Sequence, residues 1–311
     1  LGIIKTELPQ IDENDFNIRA NQLSLFVLNL MEKDITKVIN KYGKDRIGVI
    51  AASTNSGVEE FEKSNNPNHY KLGNPAYFVH KYLNLENIYT TVSTACSSGI
   101  KSFSLAKDYL ENNISDAIIV VCTDAITKFP IFGFDSLEIL SQSISIPLSK
   151  NREGMNLGEG CAVFILEKEQ SSGIKLLGIG ETSDINHPTT PDPNGIESSN
   201  AIKEALKQAN IAPDEVDYIN LHGTGTIAND IMETKALYRV FGNNCPPASS
   251  TKQLTGHCLG AAAGIETALC CKLLDKFNGK FYPHIYNNNY DEKLPPINIS
   301  TLNKNYKKWK S

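Results

Sequence analysis

A cysteine placed where a strand pattern changes to a helix pattern is the residue of this chain best suited to nucleophilic chemistry. Cys96 follows the β-branched and aromatic run 88–92, whose composition is typical of a buried strand. Apolar residues then recur at three- and four-residue steps, which predicts a helix; they are Ile100, Phe103, Ala106 and Leu110. Backbone N–H groups and the helix dipole favour a thiolate at such a position. Cys96 is therefore a candidate nucleophile, and the alternative is an inert buried thiol.

Two histidines lie in matching contexts in the second half of the chain. His222 follows the β-rich run 216–221 and precedes a Gly-Thr-Gly-Thr sequence, and an amphipathic segment then runs from 230 to 240. His257 follows the small residues 248–251 and then, directly before it, a glycine. A small-residue stretch after it predicts a long helix from Leu259 to about Leu274. Glycine permits the tight turns that hold side chains at the rim of a sheet, where catalytic groups gather. The pair therefore predicts a functional site.

These motifs, together with others in the same order, resemble those of the β-ketoacyl-acyl-carrier-protein synthases. These enzymes are decarboxylating condensing enzymes of the thiolase superfamily that act in fatty acid and polyketide synthesis. The segments that carry the resemblance lie between about 21 and 274; they are 91–99, 152–154, 158–160, 191–193, 222–226 and 250–262. Finer similarities, in 46–50, 133–137 and 220–222, resemble the branch found in bacterial aryl-polyene clusters.

The resemblance implies an α/β, thiolase-like fold in which two similar α/β halves form a five-layer α-β-α-β-α arrangement. Residues 1–170 would form the half with the nucleophilic cysteine, and residues 171–311 the half with both histidines. Helical stretches at 21–42 and around 202–209 alternate with strands such as 47–51, which predicts largely parallel sheets covered by helices. Two such halves facing each other would bring the cysteine and the histidines together.

The resemblance also assigns roles to the three central residues. Cys96 would accept an acyl group from the phosphopantetheine arm of an acyl carrier protein, stabilised by neighbouring backbone N–H groups. His222 and His257 would donate hydrogen bonds to the enolate that malonyl thioester leaves when it loses carbon dioxide. The expected product is a β-ketoacyl chain longer by two carbons.

Five further residues receive supporting roles by the same resemblance. Lys252 would support the site, paired with Glu266, whereas the alternative is a surface lysine. Thr224 and Thr226 would hydrogen-bond the pantetheine arm, although turn formation alone also explains them. Phe134 would line the acyl pocket or simply pack in the core.

Composition excludes several classes of protein. The chain has 311 residues, 41% of them hydrophobic and 21% charged, which is ordinary for a globular protein. A net charge of -5 argues against a general nucleic-acid-binding surface. The strongly apolar run 117–122 is far too short to span a bilayer. No secretory signal is visible, and none of the seven cysteines forms a Cys-x-x-Cys motif. The sequence therefore predicts a cytoplasmic protein with reduced thiols.

No tightly bound cofactor and no metal are expected. Cys96, His222 and His257 would match a catalytic zinc site of three ligands and a water, but their spacing is not that of metal ligands and the resemblance requires no metal. The expected partners are an acyl carrier protein and a second subunit, either an identical chain or a related ketosynthase-like one, and neither a nucleic acid nor a membrane.

Two alternative functions remain open on the sequence. A thiolase-like enzyme would condense coenzyme A thioesters without decarboxylation, but it would use a second cysteine where this chain has a histidine. A non-catalytic chain-length-factor-like subunit would shape the pocket of a heterodimer, and the retention of Cys96, His222 and His257 argues against it.

The chain ends at Ser311, before the family's carboxy-terminal Gly-Phe-Gly-Gly segment. In the family that segment supplies a gating phenylalanine and the second N–H group of the oxyanion hole. We therefore expect the natural polypeptide to extend beyond both ends shown, and residues 1–311 alone to be poorly active.

Overall fold

The computed structural model describes residues 1–168, 173–187, 189–285 and 289–301. Its chain divides into two compact units with interleaved segments. Unit 1 consists of Leu1–Gly133, Leu157–Gly173 and Cys258–Leu269, and unit 2 of Phe134–Asn156, Ile174–His257 and Cys270–Ser311. Among the described residues, no helix is both long enough and apolar enough to cross a lipid bilayer.

Unit 1 is built on a four-stranded sheet in the order β2-β1-β3-β4. The strands are β1 (Ile47–Ala52), β2 (Tyr89–Val92), β3 (Ala117–Asp124) and β4 (Gly160–Glu167). β1 pairs in parallel with β2 and with β3, while β4 runs antiparallel to β3. β1 and β3 are buried along their whole lengths, which explains their continuous runs of apolar residues.

The helices of this part of the chain are α1 (Arg19–Leu30), α2 (Glu32–Tyr42), α3 (Val58–Ser64), α4 (Pro67–Tyr70), α5 (Asn74–Tyr82) and α6 (Ser98–Glu111), followed by α7 (Lys128–Asp135), which ends in unit 2. Of these, α1, α5 and α6 pack on the sheet. The sequence predicts one helical stretch over 21–42, but the helix is interrupted at Met31. Acidic Glu32 and Asp34 in the first turn of α2 stabilise the amino terminus of a second helix there.

The Gly158-Glu159-Gly160 motif has a structural role in unit 1. The buried Glu159 carboxylate accepts hydrogen bonds from Arg19 Nε at 2.8 Å and from the Ile4 backbone N–H at 2.9 Å. The motif thus ties the amino-terminal segment and the start of α1 to the beginning of β4.

Unit 2 contains a small parallel sheet of β5 (Ile219–Asn220) and β6 (Ala248–Ser249). Its helices are α8 (Ile196–Ala209), α9 (Ile227–Phe241) and α10 (Lys252–Thr255). The strand predicted over 216–221 is shorter in the structure. The 3₁₀ turn Pro213–Glu215 precedes it, and the Val216 N–H donates to the Pro213 carbonyl of that turn. The core beneath the sheet includes Leu221, Leu237, Phe241 and Ala248.

The helix predicted over 259–274 also differs from the structure, because its first residues form a 3₁₀ turn. A 3₁₀ turn at Leu259–Ala261 comes first, and α11 (Ala262–Asp275) follows it. Leu259 adopts a left-handed backbone with φ of 53°, which interrupts the right-handed helical pattern before α11 begins.

Candidate active site

Cys96 of unit 1 lies on a tight turn between β2 and α6. The helix begins at Ser98 with Ser97 as its N-cap, so the thiol sits just before the helix amino terminus, as the sequence predicts. Cys96 is half-buried. Ala95, immediately before it, has a φ of 53°, a left-handed conformation that costs a non-glycine residue roughly 1–2 kcal/mol.

Serine side chains fix this turn. The Ser98 hydroxyl accepts the Thr94 N–H at 2.8 Å and donates to the Ala95 carbonyl at 2.6 Å. The backbone N–H groups of Ser97 and Ser98 donate to the Thr94 and Ala95 carbonyls at 3.3 and 3.1 Å. These two N–H groups therefore stabilise the turn, and stabilisation of the thiolate by neighbouring backbone N–H groups stays a prediction.

Close backbone packing holds the start of α6 in place. A Cβ added at Gly99 would lie 2.9 Å from the Gly264 backbone nitrogen and 3.0 Å from the Ala263 Cβ. Only glycine leaves room for this approach, so the first turn of α6 and the first turn of α11 form one rigid support for the Cys96 turn.

His222 and His257 are neighbours in unit 2. Their rings meet edge to face, with centroids 5.3 Å apart and an angle of 89° between the planes. His222 is half-buried and His257 is 1% exposed. The His257 backbone N–H donates to the Asn156 carbonyl at 2.7 Å, after Gly256 has turned the chain with a φ of 72°.

Both imidazoles are held in the neutral form. Burial, reinforced by the positive charge of Lys252, lowers the pKa of His257 to about 3. Burial likewise lowers the pKa of His222 well below its usual value, with further contributions from Lys252 and His257. A neutral imidazole retains one N–H donor and one acceptor nitrogen, so each ring can donate one hydrogen bond at neutral pH.

Lys252 decides which nitrogen of His222 carries the hydrogen. Its side chain is 3% exposed, and its Nζ lies 3.4 Å from His222 Nδ1. An ammonium group can only donate, so Nδ1 accepts and the hydrogen resides on Nε2. The predicted alternative of a surface lysine is thus wrong for the described chain, and Lys252 supports His222 directly.

Glu233 on α9 also belongs to this cluster, and the sequence motifs do not predict it. Its carboxylate accepts the backbone N–H of His222 at 2.6 Å and that of Gly223 at 2.8 Å. Burial, opposed by the Gly223 hydrogen bond and assisted by the charge of Asp230, raises the pKa of Glu233 to about 7. The signal available in the sequence was its place eleven residues after His222, two turns into the following helix.

The raised pKa of Glu233 predicts a pH-dependent contribution to stability. The folded state holds this proton more tightly than the unfolded state, whose value is near 4.5. The contribution is therefore complete below pH 4.5 and is lost as the pH rises through about 7. Glu233→Gln should remove this contribution. Urea unfolding from about pH 4 to about pH 8 spans the unfolded and folded pKa values of Glu233, and it should show that the advantage of wild type over the variant shrinks with rising pH.

A matched substitution at the exposed Glu292 provides the control for that experiment. Glu292→Gln should leave the pH dependence of the unfolding free energy as it is in wild type. Parallel curves for wild type and Glu233→Gln would contradict the titration assigned to Glu233.

Thr224 and Thr226 are committed to the loop that they form. Their hydroxyl oxygens lie 3.0 Å apart, and Thr226 is the N-cap of α9, accepting the Asn229 N–H at 3.4 Å. The cap also makes α9 begin at Ile227, earlier than the predicted amphipathic segment 230–240. The turn-forming role is therefore present, and the role in binding a pantetheine arm stays a prediction.

The two remaining predicted residues lie in helices. Phe134 is half-buried near the end of α7, and Glu266 is half-buried in the part of α11 that belongs to unit 1. The predicted pairing of Lys252 with Glu266 and the predicted contact of Phe134 with an acyl chain stay predictions.

Comparison with known proteins agrees with these motifs. The family model described as beta-ketoacyl synthase, N-terminal domain, matches residues 39–172, and the corresponding C-terminal domain model matches residues 174–283. A 3-oxoacyl-[acyl-carrier-protein] synthase 2 of Staphylococcus aureus is 32% identical over 281 residues, covering 80% of this chain and 69% of its own length. The synthase 2 of Coxiella burnetii is 37% identical over 195 residues, covering 58% of this chain and 47% of the relative.

Solved structures show the same fold. The complex of the ketosynthase ApeO with its chain length factor ApeC from Xenorhabdus doucetiae matches with a TM-score of 0.92 and 35% identity, covering 98% of this chain and 80% of the matched one. The ishigamide ketosynthase/chain length factor matches with a TM-score of 0.82 and 26% identity over 94% of this chain and 77% of that one. The predicted thiolase-like α/β fold is confirmed, and the chain belongs to the β-ketoacyl synthase family.

Proposed function

We propose that the protein catalyses the decarboxylating Claisen condensation of an acyl thioester held on Cys96 with malonyl-acyl-carrier protein. The observation that carries this proposal is the pair of neutral imidazoles, His222 and His257, with His222 fixed by Lys252 as an Nε2–H donor. Two neutral N–H donors suit an oxygen that becomes negative during the reaction, because their hydrogen bonds strengthen as the charge develops.

The first step is acyl transfer. The Cys96 thiolate attacks the carbonyl carbon of an acyl-carrier thioester and forms a new carbon–sulfur bond, the carrier's own carbon–sulfur bond breaks, and the phosphopantetheine thiolate leaves and takes up a proton. Placement of Cys96 at a helix amino terminus supports the thiolate through the helix dipole.

The second step is the loss of carbon dioxide from the malonyl thioester. The electron pair of the broken carbon–carbon bond moves onto the thioester oxygen, giving an enolate. The imidazole N–H groups stabilise this enolate without giving up their protons, since both rings start neutral. Glu233 and Lys252 hold His222 from its backbone and from its ring.

The third step joins the two fragments. The enolate carbon attacks the carbonyl carbon of the Cys96 thioester, the carbon–sulfur bond breaks, and the Cys96 thiolate is regenerated. The product is a β-ketoacyl-carrier protein that is two carbons longer than the starting acyl group. Thr224 and Thr226 are proposed to contact the pantetheine arm, which enters as part of the substrate.

The proposal extends to partners and location. We expect the protein to assemble with an identical chain or with a related ketosynthase-like subunit, as in the ApeO–ApeC complex that it resembles. We expect it to act in the cytoplasm, because a nucleophilic thiol must stay reduced. The finer assignment to the aryl-polyene branch rests on residues 46–50, 133–137 and 220–222.

Mass spectrometry of the protein after incubation with acyl-carrier protein tests the proposal. Catalysis predicts an acyl adduct on the tryptic peptide of Cys96 and its disappearance when malonyl-carrier protein is added. A chain-length-factor-like subunit would leave Cys96 unmodified. Transfer from acetyl coenzyme A with condensation but no carbon dioxide release would instead indicate the thiolase-like reaction.

Association with the carrier protein should weaken as salt rises. The chain carries a net charge of -5 and carrier proteins are acidic, so we expect a local group of Lys and Arg side chains around the entrance to Cys96. Local fields rather than net charge steer such encounters, and salt screens them over roughly 10 Å at 0.1 M. Stopped-flow association rates should therefore fall between low and physiological salt, and a rate that ignores ionic strength would contradict this expectation.

A further inference from the structure

A third histidine of unit 2 is buried beside the site and has no part in the proposed reaction. His284 is 4% exposed and follows α11 in the chain. The Ser250 backbone N–H points at its Nδ1 at 3.0 Å, and its Nε2 lies 2.9 Å from the Pro147 carbonyl oxygen. Its ring therefore joins two segments of the chain that are about a hundred residues apart.

These two contacts permit only one form of the ring. A backbone N–H can only donate and a carbonyl oxygen can only accept, so Nδ1 must be the acceptor and Nε2 must carry the hydrogen. The other neutral tautomer and the protonated ring would each place N–H against N–H at Ser250. Burial lowers the pKa of His284, against the opposing effect of the Pro147 hydrogen bond, which agrees with a neutral ring.

One of the joined segments carries Lys252. The buried Ser250 hydroxyl donates to the Gly223 carbonyl at 2.8 Å and accepts the Lys252 backbone N–H at 3.2 Å. A Cβ on Gly223 would lie 2.5 Å from the Ser250 Cβ, so the two backbones are in close contact. Displacement of Ser250 would thus move both Lys252 and the residue after His222.

The other segment contacts both the Gly-Thr-Gly-Thr loop and the helix α9 that follows it. The Ser145 hydroxyl donates to the Thr224 carbonyl at 3.1 Å, and the Leu148 N–H donates to Asp230 Oδ2 at 2.7 Å. Pro147 lies between these two contacts. The ring of His284 is therefore hydrogen-bonded to both segments that contact this loop.

We propose that His284 is a positioning residue which, as its Nε2–H tautomer, holds the segments 145–148 and 249–252 on the loop after His222 and so keeps Lys252 in register with His222 Nδ1. This inference rests on the proposed function, because its main readout is the decarboxylation assigned to the histidine pair. His284 touches neither substrate nor reacting atoms in this proposal.

Three substitutions separate the two hydrogen bonds. An asparagine places its oxygen near the position of Nδ1 and a glutamine places its amide near that of Nε2, so His284→Asn retains the acceptor for Ser250 and His284→Gln retains the donor to Pro147. His284→Phe removes both and keeps a ring of similar size. We expect malonyl-carrier decarboxylation to fall about tenfold in the Phe variant, which corresponds to about 1.4 kcal/mol and lies within the range that one hydrogen bond contributes. His284→Asn should recover more activity than His284→Gln, because Ser250 adjoins Lys252.

The decisive comparison is between decarboxylation and acylation of Cys96. A loss of folded protein would reduce both by the same factor. Positioning predicts that acylation, measured per folded molecule, stays within about twofold of wild type while decarboxylation falls about tenfold. Equal losses in both steps, or no loss in His284→Phe, would overturn the proposal. His69 supplies the matched control, because it is 3% exposed and its ring also bridges two segments of unit 1, with Nδ1 3.0 Å from the Ser64 hydroxyl and Nε2 2.7 Å from the Asn14 carbonyl oxygen. His69→Phe should change stability without separating the two steps.

A spectroscopic readout keeps this test apart from that of the proposed function. Nitrogen-15 NMR distinguishes protonated from unprotonated ring nitrogens in the six histidines. The signals of His284 are identified by their absence in His284→Asn. At neutral pH these signals should show a protonated Nε2 and an unprotonated Nδ1. The other tautomer would overturn the positioning role whatever the activity. Inactive wild-type protein with the expected tautomer would overturn the proposed function instead.

Discussion

Cys96→Ala is expected to abolish both acyl transfer and condensation while the protein remains folded. The thiol is the only atom group of this side chain that can form the acyl thioester, so no slower route through the same residue exists. The side chain is small and half-buried, and its loss leaves little cavity. Intact-protein mass spectrometry after incubation with acyl-carrier protein, together with thermal unfolding, measures the two expectations separately.

Cys161 of unit 1 supplies a matched control, because it is also half-buried. Burial raises the pKa of Cys161 to about 12, so its thiol should stay protonated and unreactive. Cys161→Ala should therefore retain acylation and condensation. Condensation that survives in Cys96→Ala would overturn the assignment of the nucleophile, and a large drop in melting temperature would point to a packing role.

His222→Ala and His257→Ala are each expected to slow release of carbon dioxide from malonyl-carrier protein by ~10²–10³-fold, the usual effect of removing one donor from a developing oxyanion. Acylation of Cys96 should remain detectable in both variants. Burial lowers the pKa of each imidazole, so neither ring is a good general base for the thiol and neither is needed for acylation. Radiolabelled carbon dioxide release and mass spectrometry of the acyl-enzyme give the two rates.

The double variant sharpens this test. Groups that act as a unit do not contribute independently, so removing both histidines should cost much less than the product of the single losses. His80, half-buried in unit 1 with its Nε2 at 2.9 Å from the Asn87 carbonyl, is the control, and His80→Ala should affect neither step. Equal loss of acylation and decarboxylation would instead indicate that a histidine activates the thiol as a general base.

Burial on both faces made the central strand β1 of unit 1 predictable, whereas β2, which the sequence predicts to be buried, is exposed at Tyr89 and half-buried from Thr90 to Val92. β1 and β3 consist mainly of apolar residues, a composition typical of strands buried on both faces. The break at Met31 could not be predicted, since neither proline nor glycine marks it. β5 was overestimated because Val216 has strand-like character while its N–H is already used by a turn.

The candidate site was predictable only where short motifs carry it. Cys96 and the two histidines stand beside glycines and small residues, a local context that single-sequence reasoning can detect. Glu233 and His284 lack such a context, because a glutamate on a helix and an isolated histidine are ordinary surface residues in most sequences. Their roles depend on hydrogen bonds to distant backbone atoms, which only the folded chain defines.

The interleaving of segments in unit 1 has a consequence for synthesis on the ribosome. Gly99 packs against Gly264, and the Gly260 N–H donates to buried Asp124 at 2.7 Å, so residues 258–269 complete a unit whose other parts end at residue 173. Domains generally fold as units during synthesis, amino-terminal first. Here the sheet of unit 1 must wait, with part of its apolar surface uncovered, until roughly a hundred further residues have left the ribosome at ~5–20 residues per second. A nascent chain arrested before residue 258 should therefore recruit chaperones more strongly than one arrested after residue 269 is exposed.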